Sequence, residues 1–202
     1  MSELNPDHGL VAGRGVILIA DVGTEPPALA DLEAYVAANL TTATLPADWA
    51  PFSDMDPEDL PEFDGEGGDT KLLSTWAFAN VREIEDGAPR SVFFVGNALQ
   101  FDNDTMSIYE GGGSHTTPGL FWAPGQRVPT LAAVTVVFID KSVGQVVGYH
   151  APKMSLRGDG GIALDAADWA NIPIRFTELT HPGADGPHAW IGHGFGTPVV
   201  GP

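Results

Sequence analysis

Leu131-Ala-Ala-Val-Thr-Val-Val-Phe-Ile139, followed by Asp140-Lys-Ser-Val-Gly144 and a long return from Gln145 to Arg157, reads as a β-hairpin. β-Branched and aromatic side chains pack well on a pleated surface, and the Asp-to-Gly loop supplies turn chemistry between the two runs. From Val134 to Asp140 the strand is apolar on both faces, so both faces need cover. That predicts a sheet continued or packed by other copies of the chain.

Further strands flank this hairpin. Val16 to Ala20 is β-branched and is stopped by Asp21-Val-Gly-Thr-Glu-Pro-Pro27, whose prolines remove ladder donors. Residues 71–96 alternate about the turn Glu85-Asp-Gly-Ala-Pro89 and predict a second hairpin. Leu120 to Ala123, Ile172 to Leu179 and Ala189 to Phe195 are shorter strand candidates. Leu29, Leu32, Val36 and Leu40 recur at helical spacing over 28–39. Asp102 to Glu110 has an acidic N-cap, at Asp102 or Asp104, and ends at Gly111-Gly-Gly113, which suits a left-handed C-cap. One further helical turn is expected at Asp165 to Trp169. About eight strands joined by hairpins, with one or two short helices, give a mainly β fold: an antiparallel β-sandwich or rolled barrel. Residues 1–202 read as one domain, with a long acidic loop at 46–69 and a Gly-rich tail at 181–202. The loop has four prolines and no base, and only Trp49, Phe52 and Phe63 offer anchors.

Composition removes several functions. With no cysteine there is no disulfide scaffold, thiolate zinc site or thiol nucleophile. A formal charge of −18, with nine scattered bases, argues against gripping nucleic acid. The longest apolar runs fall short of the ~20 residues of a membrane helix. The start, Met1-Ser-Glu-Leu-Asn-Pro-Asp, lacks the basic and apolar regions of a secretory signal, so use in the cytosol or release by lysis is expected.

Candidate sites fail on spacing. Asp54-Met-Asp56-Pro-Glu58 begins like a calcium loop, but Asp59 and Gly65 stand where glycine and a bidentate glutamate are needed. His115, His150, His188 and His193 lack metal-ligand spacing. Ser91, Ser107 and Ser114 lie in no nucleophile elbow, and Gly111-Gly-Gly113 is followed by no phosphate-binding lysine. Arg157-Gly-Asp159 is a tripeptide short enough to recur by chance. No catalytic, cofactor or metal residue is assigned. A β-sandwich that binds carbohydrate or calcium, stacking sugars on Trp122, Trp169 and Trp190, is the alternative from another class.

Several stretches in order carry a resemblance: Gly15-Val-Ile-Leu-Ile-Ala-Asp-Val-Gly-Thr24, Leu60-Pro-Glu-Phe63, Gly67-Gly-Asp-Thr70 before Trp76, and Ser91-Val-Phe-Phe94. Asp102 to Gly112, Tyr149-His-Ala-Pro-Lys153, Arg157-Gly-Asp159 and Ile172 to Leu179 continue it. Over roughly residues 14–180 the chain resembles the major tail tube proteins of long non-contractile-tailed phages of actinobacteria. The resemblance implies a non-enzymatic virion protein, assembled in the host cytoplasm, in which six subunits form a ring around an inner β-barrel. Stacked rings then make the tube that passes genomic DNA. It implies as partners the protein itself, a tape measure protein, a tail terminator and double-stranded DNA moving through the lumen without tight binding. A terminator or decoration protein of the tail is the nearer alternative. Under this reading the hairpins 71–96 and 131–157 supply the barrel strands, with Trp76, Phe78, Val134, Val136, Phe138 and Tyr149 as assembly residues. Trp49, Phe52 and Phe63 would reach a neighbouring subunit, and the acidic balance would keep DNA from sticking.

Overall fold

In a computed structural model, residues 12–41, 45–55, 60–66, 70–73, 82–85, 91–141, 144–164 and 169–195 are described. The strands are β1 (Ala12–Ala20), β2 (Ala50–Pro51), β3 (Asp64–Glu66), β4 (Thr70–Leu73), β5 (Arg82–Glu85), β6 (Ser91–Ala98), β7 (Thr130–Asp140), β8 (Val146–Gly158), β9 (Ile172–Glu178) and β10 (Ala189–Ile191). The helices are α1 (Leu29–Ala37) and α2 (Asn103–Glu110). Eight strands form one antiparallel sheet in the order β2-β1-β7-β8-β9-β6-β3, with β10 added to β8; β4 and β5 pair separately. The fold is mainly β, as the alternation predicts.

β7 and β8 are the expected hairpin. Val136 faces Tyr149 and Ile139 faces Val146 across it, and a register shift falls between Ala132 and Val134. β8 is long enough to divide its other edge, pairing β9 from Met154 to Gly158 and β10 from Gly148 to His150.

Residues 50–55 roll the sheet. The amide of Phe52 donates to Ile17 O on β1 at 2.8 Å, Met55 bridges to Ala98 on β6, and the amide of Leu99 donates to Asp54 O at 2.9 Å. This short segment therefore links β1 to β6, a device that shields ladder groups at a sheet edge. Part of the expected solvated loop is a structural closure.

The side-chain period of two divides β7 between two cores. Val134, Val136 and Phe138 face an inner cluster with Ile17, Phe94, Tyr149, Leu156 and Phe176. Ala133 and Val137 face an outer cluster with Leu18, Leu32, Tyr35, Trp49 and Val146. Both faces of this strand are thus covered by the chain itself: α1 and Trp49 form the outer layer, where the sequence predicted other copies.

The helices follow local chemistry. Asp102 Oδ1 accepts the Thr105 amide at 2.8 Å at the α2 N-cap, and Gly111 takes the left-handed conformation, φ 70°, at its C-cap. A Cβ on Gly111 would also lie 2.8 Å from the Val128 nitrogen, so glycine is required twice over. Ile108 and Tyr109 turn into the inner core.

Two expected elements differ. Among the described residues β6 pairs with β9 and β3, while β4 and β5 form their own small ladder, so 71–96 is not one long hairpin. Leu120 to Ala123 is not a strand; Trp122 makes only an isolated bridge to Ser114, because the flanking Pro118 and Pro124 supply no ladder donors. The turn expected at Asp165 to Trp169 falls largely outside the described residues.

Candidate assembly surface

Of the nine residues expected to build an assembly surface, the seven described ones are buried or half-buried. Val134 and Val136 are essentially inaccessible, and Phe138 is 7% and Tyr149 1% exposed, all inside the barrel. Trp49 and Phe52 are each 6% exposed and point into this chain's own cores. Phe63 is half-buried, its ring centroid 4.4 Å from that of Tyr149 and 5.1 Å from that of Phe94. The side chains proposed as anchors on a neighbour are thus already occupied within the monomer. Trp76 and Phe78 lie outside the described residues.

Around Tyr149 the core becomes polar. The Tyr149 hydroxyl donates to Glu178 Oε2 at 2.7 Å, and His188 Nδ1 donates to the same oxygen at 2.9 Å. Burial, reinforced by the neighbouring carboxylate, pushes the Tyr149 hydroxyl far above its usual range. Trp190 meets Phe63 and Tyr149 edge-on, so the returning tail is held by ring contacts, a His–carboxylate pair and the β10 ladder. A second polar pair lies on the outer face, where Thr135 Oγ1 and His150 Nδ1 are 3.0 Å apart and Trp49 packs edge-on to the His150 ring. Burial lowers the His150 pKa to about 4. Neither pair is predicted from sequence: Thr135 and His150 meet only because the β7–β8 register sets them opposite each other, and Tyr149 on β8 meets Glu178 on β9.

No group of three or more His, Asp or Glu able to hold a metal ion occurs among the described residues, and none of their helices is long and apolar enough to cross a membrane.

The exposed apolar side chains are unevenly placed. Register shows that β1 begins, and the β7–β8 turn lies, at one end of the barrel, the turn end. α2 and residues 99–130, 159–164 and 169–171 lie at the other, the helical end. Ten large apolar side chains are exposed among the described residues, and seven of them belong to the helical end: Phe101, Leu120, Trp122, Val128, Leu131, Leu164 and Trp169. Trp122 is 64% and Leu164 78% exposed. Exposed apolar residues that gather into one patch mark contact surfaces, whereas those scattered singly do not.

A rolled antiparallel sheet that fills its own core and gathers its exposed apolar side chains at one end fits a structural subunit. The profile of the phage tail tube protein family matches residues 2–199, and the chain belongs to that family. It is similar to the Major tail protein Gp23 of Mycobacterium phage D29, 32% identical over 187 residues, which covers 93% of this chain and 92% of the relative. It is 30% identical over 198 residues to the Major tail protein Gp23 of Mycobacterium phage L5, covering 97% of each chain. The protein is therefore a structural component of the phage tail tube, found in the virion, and not an enzyme.

Proposed function

We propose that this chain self-assembles in the host cytoplasm into stacked hexameric rings, and that the resulting tube carries genomic DNA during ejection. The observation that carries the reading is the near full-length match to tail tube and major tail proteins. The monomer supports it: a subunit whose core is complete can fold first and assemble afterwards, leaving exposed apolar groups for its neighbours. A tape measure protein inside the tube and a terminator at its end are the remaining partners of this reading.

The charge suits the cargo. At −18 per copy, carboxylates facing a lumen would repel phosphate and let DNA slide, whereas clustered Lys and Arg would retain it by counterion release. End-on class averages of assembled rods test the symmetry: six-fold averages with an open lumen are expected, and a filled or non-six-fold section would overturn the ring assignment.

A further inference from the structure

We infer that the crevice lined by Trp190 of β10 and by Phe63 and Asp64 at β3 is a binding site for a primary ammonium group, held between the Trp190 ring and the open carboxylate oxygen of Glu178. The site lies within one copy of the chain, so it stands apart from the tube reading above.

Three observations carry it. The first is space where the sheet divides. β9 leaves β8 at Glu178, opposite Met154, and β10 joins β8 only at His150. At this break Phe63, Asp64, Tyr149, Glu178, His188 and Trp190 line a cavity of about 370 Å³, a size that small ligands occupy. The second is an acceptor in want of a donor. The Glu178 side chain is only 7% exposed, and both of its donors, the Tyr149 hydroxyl and His188 Nδ1, are spent on Oε2. Oε1 meets no donor among the described residues, yet it is not sealed from solvent, so its open side is the cavity. A withdrawn carboxylate oxygen is stabilised by any N–H that reaches it, most by a charged one. The third is the wall. Trp190 is 43% exposed and stands edge-on to Phe63 and Tyr149, with ring centroids 5.8 and 5.2 Å away. Aromatic faces attract cations, tryptophan most strongly. Asp64 adds a second carboxylate at the rim, and no lysine or arginine among the described residues lines the cavity. Arg175, on β9, is engaged elsewhere, by Glu66 at 2.6 Å and over the Phe93 ring. The rings alone would accept a quaternary ammonium; Oε1 selects an ion that carries N–H donors.

Saturation-transfer NMR on the full chain reads binding from the ligand, so it serves every variant equally. At about pH 8, where imidazole is largely neutral and does not compete as a cation, n-butylammonium is compared with tetramethylammonium and n-butanol at equal ionic strength. n-Butylammonium should bind saturably in the millimolar range, roughly tenfold tighter than either. Glu178→Gln removes the charge and Trp190→Leu the aromatic face. Each should weaken binding roughly tenfold, with circular dichroism matching the parent. If Glu178→Gln does not fold, Trp190→Leu carries the test. Equal binding of n-butanol, or n-butylammonium binding unchanged by Trp190→Leu, would overturn the site, as would no binding at all. Equal binding of tetramethylammonium would overturn Glu178 Oε1 as the acceptor. Nα-acetyl-lysine methylamide separates the two sources of the group: binding like that of n-butylammonium admits a protein lysine, whereas its exclusion restricts the site to free amines, and either result upholds the ammonium site.

Discussion

The Tyr149 hydroxyl donates to Glu178 Oε2 across 2.7 Å of protein interior, and His188 donates to the same atom at 2.9 Å. Glu178 is 8% exposed, so these two donors stand where water would otherwise hydrogen-bond its carboxylate. Tyr149→Phe removes one donor and leaves a buried carboxylate poorly compensated, at a cost of roughly 1–3 kcal/mol. For a domain of this size each kcal/mol lowers the melting temperature by about 2–4 °C. Calorimetry should show that drop. An unchanged melting temperature would mean that water replaces the hydroxyl.

His150 ties stability to pH. Its folded pKa is about 4, because burial disfavours the charged ring, while the unfolded chain titrates near 6.5. Between those values the unfolded state binds more protons, so this residue's contribution falls as pH drops from about 6.5 and levels off near 4. The full window corresponds to roughly 3 kcal/mol. Urea denaturation at pH 7 and pH 4.5, with parent and His150→Gln in parallel, isolates the effect from the many carboxylates. The parent should lose more stability than the variant.

Trp49 and Trp122 should behave oppositely. Trp49→Ala empties a core position covered by α1 and costs about 3–5 kcal/mol of folding stability. Trp122 is exposed, so Trp122→Ala should change folding by less than about 0.5 kcal/mol while lowering the tendency to assemble. Thermal melts combined with light scattering check both. A Trp49→Ala protein that melts like the parent but fails to assemble would return Trp49 to the role predicted from sequence.

Gly158 packs against α2. A Cβ there would lie 2.7 Å from both the Tyr109 oxygen and its Cδ2, and backbone cannot move aside cheaply. Gly158→Ala should displace α2, at a cost of about 1–3 kcal/mol. Faster hydrogen exchange at Thr105 to Tyr109 than in the parent would report it, and unchanged protection would contradict it.

Much of this fold is legible because its signals are local. The β7–β8 hairpin shows in a continuous β-branched run and its turn, and α2 shows in Asp102 and Gly111, which cap the two ends of one short segment. Pairing between distant strands leaves no such mark. Residues 71–96 carry a valid alternation, yet β6 takes its partners from β9 and β3, a choice made by packing of the whole sheet. The acidic loop misleads for a related reason. Its composition describes a solvated segment, while Trp49 and Phe52 are individually large enough to draw residues 50–55 against β1 and β6. The assembly surface is the part least readable in sequence, because an exposed Trp122 and a buried Trp49 are the same letter until the fold separates them.

Polymerisation itself is the most direct test. Negative-stain images of the purified chain at rising concentration should show hollow rods of one diameter that lengthen with concentration. Globular particles of constant size at every concentration, or shapeless aggregates, would contradict the account.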